Sequence, residues 1–379
     1  MEITLEALKK LDPKEYQLID LRSRISFEYG SMEHAENLPQ EEFSEEKLCR
    51  KKKIILVCKY GVISLELAEK LCEKGYSAYS LKDGYLGWLR EKLQSEDDRE
   101  CRERAEKSIQ KKYHKELFTK FVSAIKEYQL VEENDRIAVC ISGGKDSMLM
   151  AKLFQELLRH RKFHFELVFL VMDPGYSPAN REIIERNAQK LGIPITVFES
   201  TIFDAVYQIE KSPCYLCARM RRGHLYAKAK ELGCNKIALG HHFDDVIETI
   251  LMGMLYSGQT QTMMPKLHST NFEGMELIRP MYLIREDDIK KWRDYNGLQF
   301  IQCACKFTDT CTSESCQASE HTASKRMETK HIIAELKKTN PYVETNIFRS
   351  MENVNLETLI SYKDRNGRHH FLDTYEGGK

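Results

Sequence analysis

Residues 136–147 read RIAVCISGGKDS, an apolar stretch that runs directly into a glycine turn and a Lys-Asp pair between serines. The apolar half, 136–141, is typical of a strand buried on both faces of a parallel sheet. The polar half predicts a turn into a helix that begins at Ser147 and ends near His160. At such a junction backbone N–H groups point outward, and the helix dipole favours an anion. The stretch therefore predicts an α/β fold with an anion-binding loop.

This loop has the residue types that phosphate binding needs. Two glycines let the backbone approach a phosphate closely, a lysine adds positive charge, and serine hydroxyls donate hydrogen bonds. The Walker pattern G-x-x-x-x-G-K-[ST] is absent, and the alternative is an ordinary strand–helix turn. The predicted nucleotide-phosphate loop consists of Ser142, Gly143, Gly144, Lys145, Asp146 and Ser147.

Strands and helices alternate on the C-terminal side of this loop. Their order predicts a parallel sheet with right-handed crossovers. Further strands are predicted at 165–173, 194–200 and 236–240, and helices at 181–192, 285–297 and 325–338. Ligands of open α/β sheets bind beyond the carboxyl ends of the strands, so the loop near Asp173 is the expected nucleoside contact.

A second polar motif, GHHFDD at 240–245, follows the strand at 236–240. Its carboxylates, together with Glu248, can hold Mg²⁺ against phosphates, and its histidines can contact phosphate or transfer protons. An N-capping aspartate with solvated histidines is the alternative. The candidate nucleotide-binding residues of this motif are Gly240, His241, Asp244 and Asp245.

Residues 1–95 form a separate α/β pattern, with strands at 16–21 and 53–58, a helix at 64–74 and a turn at Asp83-Gly84. Cys58 leaves the second strand into the loop CKYGVIS, which ends at a helix N-terminus. Outward-pointing N–H groups there stabilise a thiolate or persulfide anion. A buried structural cysteine is the alternative.

Seven of the twelve cysteines lie in contexts that suggest chemistry, and in a reducing compartment structural disulfides are not expected. The pair Cys214-x-x-Cys217 with a third cysteine from 303–305 predicts a three-thiolate metal site with one open position. A structural zinc site and a redox pair are the alternatives. The run 211–230 holds six Lys or Arg and no acid, which suits a phosphate backbone.

The composition sets outer limits on the class of protein. Hydrophobic residues make up 42% and charged residues 31%, which excludes a mainly disordered chain. No apolar run is long enough for a membrane span and no apolar signal core begins the chain, so a cytoplasmic protein without membrane contact is expected. We expect 96–116 to be a charged, solvated linker helix and the last residues to be partly mobile.

The N-terminal motifs resemble a single rhodanese domain. The resemblance is carried by Asp20-Leu21-Arg22, by Gly30 to Pro39, by the Cys58 loop and by Gly84…Gly87-Trp88. It implies that Cys58 carries sulfur as a persulfide. Val62 and Ile63 are apolar where the family often has polar residues, which favours a protein persulfide donor such as a cysteine desulfurase, or a domain that has lost activity.

Residues 115–350 resemble the tRNA 2-thiocytidine synthetase family of PP-loop ATP pyrophosphatases. The resemblance rests on the 142–147 loop, the Cys214-x-x-Cys217 pair followed by Arg219-Met220-Arg221-Arg222-Gly223, the 240–245 motif, and Arg279-Pro280. It implies a Rossmann-like fold of the adenine nucleotide alpha hydrolase type, Mg-ATP, tRNA, and a 4Fe–4S cluster. Cys214 and Cys217 then hold the cluster with Cys303 by position, or with Cys305; Cys311 and Cys316 have no counterpart.

We therefore expect a sulfur-carrier domain at 1–95, a linker at 96–116, a tRNA-thiolating PP-loop ATPase at 117–350 and a tail at 351–379. The expected catalytic residues are Cys58, Lys145 and Asp146. One alternative is a tRNA lysidine synthetase-like enzyme, and another is a nucleotide-binding sulfur-trafficking module that does not modify RNA. The sequence leaves open whether the chain forms a homodimer.

Overall fold

The computed structural model describes residues 1–94, 97–200, 213–301 and 314–375; in the helices Pro213–Glu231 and Glu314–Thr339 it describes side chains from Met220 and Lys325 onwards. The chain divides into two compact units. The first comprises Met1–His242 with Pro265–Ser319, and the second comprises Phe243–Met264 with Glu320–Lys379. The sheets of both α/β patterns that the sequence predicts belong to the first unit.

The N-terminal sheet has five parallel strands in the order β1-β5-β4-β2-β3. The strands are β1 (Glu2–Ile3), β2 (Tyr16–Asp20), β3 (Ala35–Asn37), β4 (Lys53–Val57) and β5 (Ala78–Leu81). The helices are α1 (Leu5–Lys9), α2 (Arg24–Tyr29), α3 (Val62–Glu73) and α4 (Gly84–Gln94), with short 3₁₀ turns at Gln40–Glu42 and Glu45–Lys47. The predicted strands β2 and β4 are confirmed as neighbours at its centre, where Ile19, Ile54 and Leu56 are buried.

The second sheet has six strands in the order β10-β11-β9-β6-β7-β8, with only the β10–β11 pair antiparallel. The strands are β6 (Arg136–Ile141), β7 (Glu166–Asp173), β8 (Ile195–Glu199), β9 (Lys236–Ala238), β10 (Lys266–His268) and β11 (Glu276–Ile278). The predicted strands are confirmed. β6 lies between β7 and β9, and this central position explains why five of its six residues are buried.

Helices accompany this sheet, and those predicted from Ser147 to about His160, at 181–192 and at 285–297 are confirmed. They are α5 (Asp98–Gln110), α6 (Lys120–Glu127), α7 (Lys145–Arg159), α8 (Pro178–Leu191), α9 (Pro213–Glu231) and α11 (Glu286–Tyr295), with a π-helical turn at His114–Thr119. α7 begins two residues earlier than predicted, at Lys145, because Gly144 is the extended N-cap residue. Gly192 ends α8 in a left-handed conformation, as expected for a C-terminal glycine.

The charged segment after residue 96 is helical, as predicted, but one of its faces is not solvated. Cys101, Ala105 and Ile109 of α5 are fully or almost fully buried. Their spacing of four residues places them on one face of the helix, which explains how a segment so rich in charge is held against the fold. Arg186 of α8 pairs with Asp98 at 2.6 Å and adds a polar contact to that face.

The second unit is mainly helical. Its elements are α10 (Phe243–Ser257), most of α12 (Glu314–Thr339), α13 (Val343–Arg349), a 3₁₀ turn at Leu356–Thr358, the hairpin strands β12 (Ser361–Asp364) and β13 (Gly367–His370), and α14 (Leu372–Tyr375). The hairpin lies in the tail expected to be partly mobile. Its turn is fixed by Asp364 Oδ1, which accepts the N–H groups of Asn366 and Gly367. Among the helices in the described ranges, none has the length and apolar character needed to cross a membrane.

Candidate functional site

Cys58 lies between the end of β4 and the start of α3, where a loop of backbone donors encloses its sulfur. The N–H groups of Gly61 and Ser64 donate to Cys58 Sγ at 3.1 and 3.4 Å, and the Ser64 hydroxyl lies 3.2 Å from it. Only 5% of the Cys58 surface is exposed. Donors that converge on one sulfur stabilise a negative charge there, and this is the chemistry that a thiolate or persulfide needs.

The shape of the Cys58 loop depends on a left-handed residue and on close backbone packing. Gly61 has a φ of 90°, and a Cβ at this position would lie 3.2 to 3.3 Å from the backbone of 81–84. A Cβ at Gly84 would come within 2.4 Å of the Cys58 carbonyl oxygen. Both glycines are therefore needed for the loop to close over the sulfur.

An ion pair between Arg22 and Asp20 packs beside the segment that supports this loop. Arg22 forms an ion pair with buried Asp20 at 2.6 Å, and its guanidinium lies 3.5 Å from the centre of the Tyr85 ring. The Tyr85 N–H in turn donates to the Cys58 carbonyl oxygen at 2.9 Å. The Asp20-Leu21-Arg22 motif that the sequence singles out thus contributes to the position of the cysteine, although it does not contact the sulfur in the described contacts.

The loop at 142–147 joins β6 to α7 and is closed by its two serines. Ser147 Oγ accepts the Ser142 N–H at 3.1 Å and donates to the Gly144 carbonyl at 3.0 Å. Gly143 has a φ of 85°, and a Cβ there would meet Ile184 Cγ1 at 2.5 Å. The turn therefore has the tight, glycine-dependent form that the sequence predicts for an anion-binding loop.

Lys145 turns its side chain toward acids rather than toward solvent. Only 4% of its surface is exposed, and Nζ lies 3.1 Å from Asp146 Oδ1 and 3.3 Å from Glu286 Oε1. Burial opposes its charge, yet the acidic neighbours outweigh burial and raise the pKa of Lys145 above its usual range. Lys145 therefore stays charged, and Glu286, which sequence reasoning missed, belongs to the same cluster.

Tyr29 of α2 also reaches this loop and was not a sequence candidate. Its hydroxyl oxygen accepts the Lys145 backbone N–H at 2.9 Å, and its ring centre lies 5.4 Å from Lys145 Nζ. Burial raises the pKa of Tyr29 to about 12, so the group is a neutral phenol at physiological pH. A tyrosine from a helix that accompanies the N-terminal sheet thus accepts a hydrogen bond from the first backbone N–H of α7.

A cavity of about 270 Å³ opens beside the loop. Its wall combines polar loop residues with an apolar floor, and it is lined by Cys140, Ile141, Ser142, Asp146, Ser147, Met172, Arg221, Leu225, Leu239, Gly240 and His241. A Cβ at Gly240 would lie 3.3 Å from the Ser147 nitrogen, so the glycine allows the two motifs to approach each other. Ser142, Asp146 and Ser147 of the first motif therefore meet Gly240 and His241 of the second around one cavity.

His242 and Asp173 lie close to this cavity in different roles. His242 is 4% exposed, with Nε2 3.9 Å from Asp146 Oδ1. Asp173 is buried, and its Oδ1 accepts the N–H groups of Gly175 and Tyr176 at 2.8 and 2.6 Å. Asp173 therefore fixes the turn after β7. The neighbouring Met172, rather than Asp173, lines the described wall of the cavity.

The acids of the second motif begin α10 in the second unit. Asp245 Oδ1 and Glu248 Oε2 both accept from the guanidinium of Arg326 in α12, the latter at 2.5 Å, and Lys330 lies 3.5 Å from Glu248 Oε1. Burial raises the pKa of Glu248 even beside these two cations. Asp245 and Glu248 are thus paired with basic side chains, which the sequence did not predict.

The cysteines of the predicted metal site cannot be compared with the structure atom by atom. Cys214 and Cys217 lie in the first turns of α9, where side chains are outside the described part, and Cys303 and its alternative Cys305 lie outside the described residues. Within the described ranges, no three His, Cys, Asp or Glu side chains are grouped so that they could hold a metal ion. The predicted site therefore stays a prediction.

Comparison with known proteins matches both halves of the first unit. The family described as a PP-loop domain matches residues 109–307, and the family described as a rhodanese-like domain matches 4–91. The tRNA-cytidine(32) 2-sulfurtransferase of Syntrophotalea carbinolica is 35% identical over 246 residues, which are 64% of this chain and 90% of that protein. The protein of the same name from Geotalea daltonii is 33% identical over 256 residues, which are 66% of this chain and 96% of that protein.

Among solved structures, the U34-tRNA thiolase NcsA from Methanococcus maripaludis with its 4Fe–4S cluster is 21% identical, with a TM-score of 0.48; the match covers 62% of this chain and 77% of that chain. The PP-loop match spans more than half of the chain and contains the 142–147 loop, and the rhodanese-like match contains Cys58. The two family matches agree with the two α/β sheets of the first unit. The chain therefore belongs to the PP-loop family whose relatives are named tRNA-cytidine(32) 2-sulfurtransferases, and it joins to that fold an N-terminal rhodanese-like domain.

Proposed function

We propose that this chain replaces the carbonyl oxygen of an anticodon-loop cytidine in tRNA by sulfur, giving 2-thiocytidine, at the expense of ATP. The observation that carries the proposal is that one compact unit holds both a sulfur-binding loop at Cys58 and an anion-binding loop at 142–147. Relatives at 33–35% identity bear the name of this reaction. The module boundaries at residues 95, 117 and 350 are part of the proposal.

In this proposal ATP binds in the cavity beside the phosphate loop. Backbone N–H groups at the start of α7 and the hydroxyl groups of Ser142 and Ser147 suit the phosphates, while Met172 and Leu239 offer an apolar surface to the base. The close approach at Gly240 leaves room for backbone only, which is the form of cradle that phosphate groups use. Asp146, on the same wall, is the carboxylate of the loop itself.

The chemistry requires an activated oxygen and a sulfur nucleophile. The cytidine carbonyl oxygen attacks the α-phosphorus of ATP, and pyrophosphate leaves. The base oxygen then carries AMP, so that attack by sulfur at the same carbon expels AMP and leaves a C=S bond. Backbone donors at the N-terminus of α7 stabilise the negative charge that develops on the leaving pyrophosphate.

Cys58 supplies the sulfur as a persulfide in this proposal. The donors of Gly61 and Ser64 stabilise the anionic sulfur, and low exposure protects it from solvent oxidants. An external thiol attacks the Cys58 sulfur, which releases hydrosulfide and leaves a mixed disulfide. A second thiol then restores Cys58, so the two electrons come from the thiols.

The rim of the Cys58 loop favours a protein as sulfur donor. Val62 is 63% exposed and Ile63 is 41% exposed in the first turn of α3. Apolar side chains beside a reactive sulfur offer nothing to a small anion such as thiosulfate, whereas they suit contact with a protein surface. A cysteine desulfurase that carries a persulfide is the proposed donor.

Cys214, Cys217 and Cys303 are the proposed ligands of a 4Fe–4S cluster, with Cys305 as the alternative third ligand. Three thiolates are the donor set that such a cluster uses when one iron is left open. When bound, the cluster would offer that iron as a site for sulfide. The basic helix α9 continues past this pair with Arg221 on the cavity wall, which suits an approaching tRNA backbone.

Mg²⁺ is proposed to accompany ATP, with Asp244 and Asp245 as the sequence candidates for its ligands. Asp245 fits this role poorly in this structure, because the Arg326 guanidinium already pairs with both Asp245 and Glu248. The ion would have to displace that guanidinium, and the proposal uses no step that depends on it.

Mass spectrometry of tRNA nucleosides from a deletion strain tests the function. The strain should lack 2-thiocytidine, and the wild-type gene should restore it. Asp146→Ala should fail to restore it, whereas Asp287→Ala, which removes an exposed carboxylate from the start of α11, should succeed. An unchanged set of thiolated nucleosides in the deletion strain rejects the proposal, and loss of a lysine-bearing cytidine from that strain would instead favour the lysidine synthetase alternative.

A further inference from the structure

Tyr29 links the rhodanese-like part of the first unit to the phosphate loop. It is the last residue of α2, and its hydroxyl oxygen accepts the Lys145 N–H at 2.9 Å across 116 residues of sequence. A Cβ at Gly144 would lie 3.2 Å from the same oxygen. The N–H groups in the first turn of a helix are the donors that a phosphate uses, so the phenol stands where a phosphate oxygen would bind.

The backbone around Tyr29 is held on both sides. Arg293, which is 7% exposed, donates to the Tyr29 carbonyl at 2.5 Å, and Arg22 donates to the Gly30 carbonyl at 2.8 Å. Tyr29 therefore does not reach the loop as a free surface side chain. Its contact with Lys145 is part of a packed interface between α2 and the start of α7.

Arg22 also connects this interface to the loop that carries Cys58. Arg22 stacks on the Tyr85 ring, and the Tyr85 N–H donates to the Cys58 carbonyl at 2.9 Å. The chain segment that carries Tyr29 and the loop that carries Cys58 thus share Arg22 and Tyr85 as neighbours. A shift of the segment at 29–30 changes contacts that support the cysteine.

We infer that Tyr29 is a gate that reports nucleotide binding to the sulfur-carrier loop. Before ATP binds, the phenol satisfies the Lys145 N–H; a phosphate oxygen of ATP then takes its place, because a charged acceptor forms the stronger hydrogen bond. The released segment at 29–30 loosens its contacts through Arg22 and Tyr85 and makes Cys58 more accessible. The inference rests on the proposed use of ATP and gives that site a regulatory function.

A purely structural Tyr29 has different consequences from a gate. A tyrosine that only joins the two sheets would leave ATP affinity unchanged or weaken it when its hydroxyl is removed. A competing tyrosine must do the reverse, because its removal frees a donor for phosphate. The sign of the change in ATP affinity therefore separates the two roles.

The first experiment measures ATP binding by titration calorimetry of the full chain. Tyr29→Phe keeps the ring and should lower the Kd for ATP roughly three- to ten-fold, the factor that one net hydrogen bond represents. Tyr79→Phe removes a hydroxyl from β5 of the same sheet and should leave the Kd unchanged. An equal or higher Kd in Tyr29→Phe overturns the gate.

The second experiment needs no variant and therefore does not depend on the folding of one. Alkylation of the wild-type protein by iodoacetamide is followed at single cysteines by peptide mass spectrometry, with and without saturating ATP. The rate at Cys58 should rise by a factor of roughly three to ten, as expected when one hydrogen bond restrains the loop, while Cys49 stays constant as the internal reference. A rate at Cys58 that ATP does not change overturns the gate.

The outcomes also separate the gate from the proposed function. If the wild-type protein does not bind ATP, the nucleotide part of the proposed function fails and the gate fails with it. If the wild-type protein binds ATP but either the Kd of Tyr29→Phe or the Cys58 rate fails to respond as expected, the gate alone is wrong.

Discussion

The Cys58 loop and the 142–147 loop are the same structural device with different occupants. Each follows a buried parallel strand, turns on a glycine with positive φ and ends at a helix N-terminus. In the first, the donors of Gly61 and Ser64 meet a sulfur of their own loop. In the second, the Lys145 N–H donates to the hydroxyl oxygen of Tyr29, which lies in helix α2 of the rhodanese-like part.

The difference is between an acceptor that belongs to the loop, the Cys58 sulfur, and an acceptor that comes from outside it. The Cys58 loop already contains its acceptor, so it is complete before any substrate arrives and suits a group that is carried covalently. The 142–147 loop is satisfied by a neutral phenol, which an anion can replace because the anion is the stronger acceptor. In the proposed function, the loop at one strand end thereby serves covalent storage and the loop at the other serves reversible binding.

The largest expected effect comes from separating the two loops by mutation. Asp146→Ala should abolish thiolation with every sulfur source, because it alters the nucleotide cavity that each turnover uses. Cys58→Ser should abolish thiolation with a protein persulfide donor but should stay near normal with inorganic sulfide, because the lost thiol only supplies sulfur. Thiolation of a tRNA transcript after cluster reconstitution, with each sulfur source in turn, measures both.

Cys214→Ser is the reference for this experiment, since loss of a proposed cluster ligand should leave no activity with either source and should lower the bound iron. Glu69→Gln, an exposed change on α3, controls for general damage near Cys58. Equal failure of Cys58→Ser and Cys214→Ser on sulfide would mean that Cys58 acts inside the catalytic site, and the comparison of a supply loop with a reaction loop would be wrong.

The elements that carry these loops could be predicted because their signals are local. Strands such as 53–57 and 136–141 are short apolar runs between turn residues, and the glycine turns that follow them are visible in the sequence. The helix that starts at Gly84 was hidden by the same rule, because an Asp-Gly pair is a turn signal even where a helix follows it directly.

The partners of the phosphate loop could not be predicted because they are distant in sequence. Tyr29 and Glu286 reach Lys145 from residues more than 100 positions away, on separate elements, and neither belongs to a motif. Arg326 similarly meets Asp245 and Glu248 from a helix that the sequence marks only as helical. Periodicity assigns a residue to a face of its element, but the packing of elements decides which side chain it meets.

A pair of matched glycine substitutions sharpens the comparison at intermediate size. Gly143→Ala forces a Cβ to within 2.5 Å of Ile184 Cγ1, in addition to about 1–2 kcal/mol for a left-handed alanine. Gly61→Ala carries the same backbone cost, with its Cβ 3.2 Å from backbone. We expect Gly143→Ala to weaken ATP binding about ten-fold and to leave the rate of Cys58 alkylation unchanged. We expect Gly61→Ala to slow Cys58 alkylation and to leave ATP binding unchanged.

Calorimetry with ATP and peptide-resolved alkylation read out the two loops separately, and thermal unfolding shows whether either variant loses its fold. If both substitutions damaged both readouts to the same extent, the loops would behave as one site and the division between storage and binding would not hold.

The smallest effect distinguishes the donors of the Cys58 loop from one another. The Ser64 hydroxyl lies 3.2 Å from Cys58 Sγ, 3.2 Å from the Gly61 carbonyl and 2.8 Å from Ser80 Oγ, but it has one proton to donate. Ser64→Ala leaves both backbone N–H groups on the sulfur, so Cys58 alkylation at fixed pH should slow by only about three-fold, the low end for one hydrogen bond. Ser80→Ala is the matched control: it leaves every donor to the sulfur in place and frees the Ser64 proton from one competing acceptor, so the rate should stay constant or rise slightly. A larger loss in Ser64→Ala than in Gly61→Ala would show that the hydroxyl, rather than the backbone at the helix N-terminus, holds the sulfur anion, and the likeness between the two loops would then extend only to their shape.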